Sequence, residues 1–136
     1  MARKQYKSWT GSQRNKYGSN KVKVDGIMFD SQREAARYNQ LKLLEQAGII
    51  RNLQRQVKYV LIPTQYSKTE FNKNKTPKCI EKECAYYADF VYTDEFGELH
   101  VEDTKGYRDP SSAGYAKFVI KRKLMLHVHG IIVEEV

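Results

Sequence analysis

The chain has 136 residues, 40% of them hydrophobic, which is enough for one compact domain with its own core. A net charge of +8 and a pI near 9.4 point to a polyanionic partner, nucleic acid first and an anionic membrane surface second. No apolar run approaches the ~20 residues of a membrane span, the first residues lack the apolar core of a signal peptide, and Cys79 and Cys84 are too few for a disulfide framework, so a reducing, cytosolic setting is expected.

Residues 1–23 carry seven Lys or Arg and no acid, interleaved with Tyr6, Trp9 and Tyr17. They read as a mobile basic arm ahead of a single domain spanning 24–136. Lys7 and Arg14 are its candidate phosphate contacts, and its aromatics suit base stacking. A solvated tail that only aids solubility is the alternative.

Val22 to Phe29 reads as a short β-hairpin around Asp25-Gly26. Ser31 starts a helix through about Ala47, closed by Gly48. Ala36, Leu43, Leu44 and Ala47 make one apolar stripe, interrupted by Gln40; Glu34, Tyr38, Leu41 and Glu45 make an adjacent one. Leu53 to Ile62 is a long strand ended by Pro63. Residues 64–84, polar and rich in Lys, read as an extended loop or irregular excursion. Tyr86 to Tyr92 and Val101 to Gly106 are strands separated by the turn Asp94-Glu95-Phe96-Gly97. Ser111 or Ser112 caps a second helix through about Val128, with Gly130 as its stop. Ile131 to Val136 forms a closing strand. From Ser31 the order is helix, strand, strand, strand, helix, strand, which implies an α/β domain of two or three layers with a mixed sheet.

The chemistry concentrates in Tyr87-Ala88-Asp89-Phe90 and Glu102-Asp103-Thr104-Lys105-Gly106. An antiparallel hairpin would bring Asp89 near Asp103 and Lys105. Side chains alternate, so Val101, Asp103 and Lys105 share one face while Glu102 turns to the other side or a rim. Paired carboxylates suit Mg²⁺, a cation that prefers oxygen ligands and can activate water for phosphodiester cleavage. Asp89, Asp103 and Lys105 have a plainer reading as a polar strand face closed by a cross-strand ion pair. Glu34 also has two readings. It shares a helical face with Tyr38 and Leu41, which would turn it inward, and it completes the capping box Ser31-Gln32-Arg33-Glu34.

Lys117, Lys121, Arg122 and Lys123 crowd the second helix, either as a solvated face or as a DNA-facing one. Lys117 and Lys121 point together. Tyr107 and Arg108, after the lysine strand, are candidate contacts near the scissile phosphate. Cys79-x₄-Cys84 lacks the second ligand pair of a structural zinc site, and His127 and His129 sit at a helix end. There is no Gly-rich phosphate loop, hence no nucleotide cofactor, and no Ser or Cys nucleophile constellation.

A helix bearing Glu34, a strand bearing Asp89, a strand bearing Asp103-Thr104-Lys105, then a basic helix and a strand: this resembles the PD-(D/E)XK nuclease superfamily, and within it the small phage-encoded Holliday-junction resolvases. The resemblance covers residues 25–136. It implies a restriction-endonuclease-like core, with Asp89 and Asp103 as metal ligands, Lys105 orienting the attacking water, Glu34 completing the site and Gln56 supporting the cleft. Two features depart from the pattern: Ala88 stands where a proline often precedes the first aspartate, and the second acid is Asp rather than the commoner Glu. The activity implied is a Mg²⁺-dependent endodeoxyribonuclease, with Mn²⁺ as substitute, working as a homodimer on branched DNA in the cytoplasm of a bacterial host. The arm, the 64–84 segment and the second helix would hold the DNA backbone. The alternatives are a fork, flap or general phage nuclease of the same fold, and a non-catalytic basic DNA-binding protein.

Overall fold

The computed structural model describes residues 21–106 and 108–136. The arm contacts Lys7 and Arg14, with Tyr6, Trp9, Tyr17 and the later Tyr107, lie outside the described residues.

The fold opens with β1 (Val22–Val24) and β2 (Ile27–Phe29), paired antiparallel. Asp25 at φ 51° and Gly26 at φ 76° make the two-residue loop, a positive-φ turn whose twist matches the right-handed twist of the strands it joins. β1 thus begins inside the span read as arm. Helix α1 (Gln32–Gln46) follows, with Ser31 as N-cap. It buries Glu34, Ala35, Tyr38 and Leu41. Of the two stripes expected, the one through Glu34, Tyr38 and Leu41 is the core face; in the other, Ala36 is exposed and Leu43 is 67% exposed, and only Leu44 packs beside that core. The hairpin decides this, because Phe29 packs against Tyr38 with ring centroids 5.1 Å apart.

β3 (Ile50–Ile62) is longer than the expected strand by three residues at its start. The 64–84 segment is not an irregular loop: it forms β4 (Gln65–Phe71) and β5 (Pro77–Glu81), an antiparallel pair. β6 (Cys84–Asp94) and β7 (Leu99–Asp103) form the central hairpin. Helix α2 (Ala113–His129) is capped by Ser112 and stopped by Gly130 at φ 67°. The closing strand β8 is only Glu134–Glu135. Its pairing extends past β7, since Val136 N donates to Asp103 O and Lys105 N donates to Val136 O, both at 2.9 Å.

The main sheet runs β3-β6-β7-β8, antiparallel except for the parallel pair β7–β8, and is therefore mixed. The helices lie on opposite faces. One cluster joins Phe118 and Met125 of α2 to Tyr86, Ala88, Val91 and Val101. The other joins Ala35, Tyr38 and Leu41 of α1 to Phe29, Phe90 and Tyr92.

These memberships show a turnover in the long β3–β6 ribbon. In β6, Tyr86 and Ala88 face α2, yet Phe90 and Tyr92, of the same parity, face α1. In β3, Leu53 packs on the α1 side and Val57 and Tyr59 on the α2 side. The change falls at Asp89 and at Gln56, which stands opposite it between the pairs Arg55↔Phe90 and Val57↔Ala88. Gln56 takes φ 51°, a left-handed conformation that costs a non-glycine residue about 1 kcal/mol.

Candidate active site

The ribbon turnover aims Asp89 between the two cores. Its Oδ2 accepts from both the backbone N and the Oγ1 of Thr104, each at 2.8 Å. Gln56 Nε2 donates to Asp89 Oδ1 at 3.2 Å and to Glu34 Oε1 at 3.3 Å, so one amide joins the ribbon acid to the helix acid. Asp103 stands across from Asp89, one step beyond the pair Phe90↔Glu102. Its Oδ2 accepts from the Tyr86 hydroxyl at 2.8 Å, and its Oδ1 pairs with Lys105 Nζ at 2.8 Å. Lys105 Nζ also lies 4.0 Å from the centre of the Phe118 ring, which holds the ammonium on the α2 face.

Glu34 follows the inward reading rather than the full capping box, because its carboxylate is engaged by Gln56 and Arg55 and not by the Ser31 N–H. Its backbone N donates to Ser31 Oγ at 3.1 Å as the cap requires, while its carboxylate, in a residue only 5% exposed, turns to Gln56. Arg55 Nη2 stands 3.7 Å from the same carboxylate, its guanidinium stacked 4.3 Å over Phe29. Arg55 was not singled out from sequence. Its parity with Leu53, on the face that meets α1, is the signal that would have found it.

Electrostatics mark the cluster as strained in charge. Burial raises the Glu34 pKa, the charge of Asp89 raises it further, and Arg55 opposes both only in part. Asp103 is also raised, mainly by burial, with Lys105 and Tyr86 pulling it down and Asp89 pushing it up. Burial and Asp103 push the Tyr86 hydroxyl far up, so it stays a proton donor. Three acids therefore gather with too little positive charge to settle them.

Beside Asp103 and Lys105 opens a cavity of about 250 Å³, lined also by Tyr86, Phe118, Gly114, Lys117 and Lys121. Lys117 and Lys121 thus share a cavity with Asp103 and Lys105. Arg108 is exposed on the connection into α2. Arg122 is committed elsewhere, 3.0 Å from Glu135.

Glu102 turns to the other face, as alternation requires, but it is no rim residue. It is fully buried, accepts from Arg37 Nε at 2.8 Å and from the Tyr92 hydroxyl at 2.6 Å, and takes a second bond from Arg37 Nη2. Arg37 sits one helical turn after Glu34, so this pair ties α1 to β7 beside the cluster.

This chain matches a protein family described as a protein of unknown function (DUF1064) over residues 14–132. It belongs to that family. No curated protein and no solved structure matches it. Among the described residues of this DUF1064 chain, no helix is long and apolar enough to cross a membrane.

One further group bears on metals. Among the described residues, Asp94, Glu98 and His100 bring ligand atoms within 4.8 Å of one another. Asp94 and His100 are already engaged in hydrogen bonds: Asp94 Oδ1 accepts from the backbone N of Phe96 and Glu98, and His100 bridges Asp94 and Glu134 at 2.9 Å each. They close the β6–β7 turn and tie it to β8. Glu34, Asp89 and Asp103 do not draw together that tightly. An ion there would take one or two of their carboxylates, the habit of Mg²⁺, which keeps several of its waters. Cys79 and Cys84 are free thiols, and His129 Nε2 lies 2.7 Å from Val60 O, at the end of α2.

Proposed function

We propose that this chain is a divalent-metal-dependent endodeoxyribonuclease of the PD-(D/E)XK type that cuts branched DNA, four-way junctions first. The observation that carries the reading is the meeting of Asp89, Asp103 and Lys105 where β6 and β7 part, with Glu34 behind them and a lysine-lined cavity in front. The element order α1, β3, β6, β7, α2, β8 supports a restriction-endonuclease-like core.

The donor set suits Mg²⁺ or Mn²⁺: oxygen ligands only, with the pKa values of Glu34 and Asp103 raised by burial and by the charge of Asp89. Asp89 and Asp103 would hold the ion, with Glu34 behind. Bound there, such an ion polarises the phosphate and stabilises charge on the departing oxygen. Gln56 and Thr104 fix the orientation of Asp89. Tyr86 fixes one oxygen of Asp103 and leaves the other to Lys105. The Lys105 ammonium, aligned by Asp103 and Phe118, is set to orient the attacking water and offset charge on the phosphorane oxygens. Lys117 and Lys121 would receive neighbouring phosphates. Resolving a junction takes two symmetric cuts, so the reading includes a two-fold homodimer, working on phage DNA in the bacterial cytoplasm.

The test is cleavage of labelled junction, fork, duplex and single-stranded DNA with Mg²⁺ and with chelator. Metal-dependent cutting with the junction preferred is expected. Cutting of forks or duplex alone would move the substrate within the same chemistry. Binding without cutting under any metal would leave only a DNA-binding protein.

A further inference from the structure

The β4–β5 hairpin takes no part in either core. Every residue of β5 is exposed, β4 has Ser67 alone half-buried, and neither hydrophobic cluster includes one of them. Tyr66, Phe71 and Ile80 lie 57%, 59% and 64% exposed. A lone two-stranded hairpin is marginal in water, and this one is knit at its tip. Asn72 N donates to Thr76 O at 2.8 Å, Lys75 N to Asn72 O at 2.9 Å, and Thr76 Oγ1 to Asn74 Oδ1 at 2.6 Å. Lys75 holds φ 67° to complete the turn. The result is a preorganised tip bearing Lys73 and Lys75 in water. Lys68 and Lys82 are also exposed, and Lys78 stands 3.5 Å from Glu70. Between residues 65 and 82, five lysines face two acids, Glu70 and Glu81.

We propose that this hairpin is a DNA-backbone clamp that grips the phosphates of a duplex arm away from the scissile phosphate. The inference rests on the nuclease reading for where the DNA enters. The lysine surplus selects the partner: exposed apolar residues alone would suit a second copy of the chain, but a tip led by two lysines repels its own copy and attracts a polyanion. The reach follows from the ribbon. Ile62 lies six residues beyond Gln56 and Cys84 five before Asp89, so at the strand rise the hairpin root is about 17–20 Å from the carboxylates. Along a duplex the root is thus about five or six base pairs away, and Lys73 and Lys75 stand off that root by the length of β4. A contact set off by this distance engages an arm that continues past the cut, which flush ends and short fragments do not offer.

The experiment compares the full chain with two variants: the triple Lys68→Ala, Lys73→Ala, Lys75→Ala, and a chain with residues 65–81 replaced by a short Gly-Asn turn. The probes are a labelled four-way junction with long arms and one with arms of four base pairs. Affinity is read by anisotropy at several salt concentrations without divalent metal, cleavage with Mg²⁺, and protection by hydroxyl-radical footprinting. For long arms, the triple variant should weaken binding, lower the slope of log K against log salt by about 2–3, raise KM far more than it lowers kcat, and lose protection on the arm about five or more base pairs from the cut. For short arms it should bind as the unaltered chain does. Equal slopes and equal footprints in all three proteins would overturn the clamp. So would a triple variant that binds normally beside a hairpin deletion that sediments as monomer where the full chain is a dimer, because the hairpin would then be a contact between copies. If no protein cleaves any DNA but the triple variant still loses salt slope, the clamp stands and the nuclease reading falls.

Discussion

Two acids adjacent in β7, Glu102 and Asp103, are both buried, yet their surroundings differ in kind. Glu102, on the α1 face, has a two-point bond from Arg37 and a hydroxyl from Tyr92. Asp103, on the α2 face, has one lysine and one hydroxyl, and shares its field with Asp89. Burial and acidity alone therefore do not mark a site. The first acid is matched by its partners and holds the fold together. The second belongs to a cluster with negative charge left over, which is the condition in which a divalent cation or a polarised phosphate complex is welcome.

The sharpest way to break the comparison is to remove one carboxylate of the uncompensated set. Asp89→Asn or Asp103→Asn should lower Mg²⁺-dependent cleavage by on the order of a thousandfold or more, with circular dichroism unchanged and junction affinity kept or improved. Cleavage near the unaltered rate would remove both acids from the chemistry.

On the matched side, Arg37→Ala should cost about 3–5 kcal/mol in urea unfolding, because it strands a buried charge. The double change Arg37→Met with Glu102→Leu should recover most of that loss. If the single change proved harmless, Glu102 would be no better matched than Asp103.

Lys105 lies between the two cases, as the cation of the uncompensated cluster. Lys105→Ala should lower kcat about a hundredfold with little change in DNA affinity, since its proposed role is exerted on the reacting water and phosphorane oxygens. A loss confined to KM would make it a binding residue instead.

The smallest effect concerns stability. A pKa raised on folding means that, between the two values, the folded chain holds more protons than the unfolded one, so stability falls as pH rises through that window. Glu34→Gln, which mimics the neutral form, should therefore raise Tm by a few degrees near pH 7–8, about 1 kcal/mol for a domain of this size. The gain should shrink as pH falls toward the ordinary carboxylate range. Mg²⁺ should raise Tm in the unaltered chain more than in the variant. A Tm difference independent of pH would show that charge is not its cause.

Much of this arrangement was legible in the residues because it rests on local rules. Ser31, Ser112 and Gly130 mark helix ends by chemistry that needs no tertiary partner. The alternation that separates Asp103 from Glu102 is a property of any strand. What escaped depends on longer contacts. β4 and β5 are wet on both faces, so they lack the alternation that reveals a half-buried strand. Sequence leaves two adjacent stripes open on α1, and Phe29, from another element, chooses between them. The Arg37–Glu102 pair spans 65 residues of sequence, and Arg55 meets Glu34 only after β3 folds onto α1. The closing strand is only Glu134–Glu135 because its partner β7 ends at Asp103 and pairs with it only through Glu102↔Glu134 and Asp103↔Glu135.

The ribbon turnover has a consequence for when the proposed site could form. One half of the ribbon belongs to the α1 cluster and the other to the α2 cluster, and the carboxylates lie on the seam between them. If either half opens locally, the seam loses a side: without α1 there is no Glu34, and without α2 there is no Phe118 to hold Lys105. A nascent or partly opened chain therefore has the acids without their arrangement. On the nuclease reading proposed above, hydrolysis would therefore require both halves to be complete, and a centre of this design would stay silent until both clusters have closed.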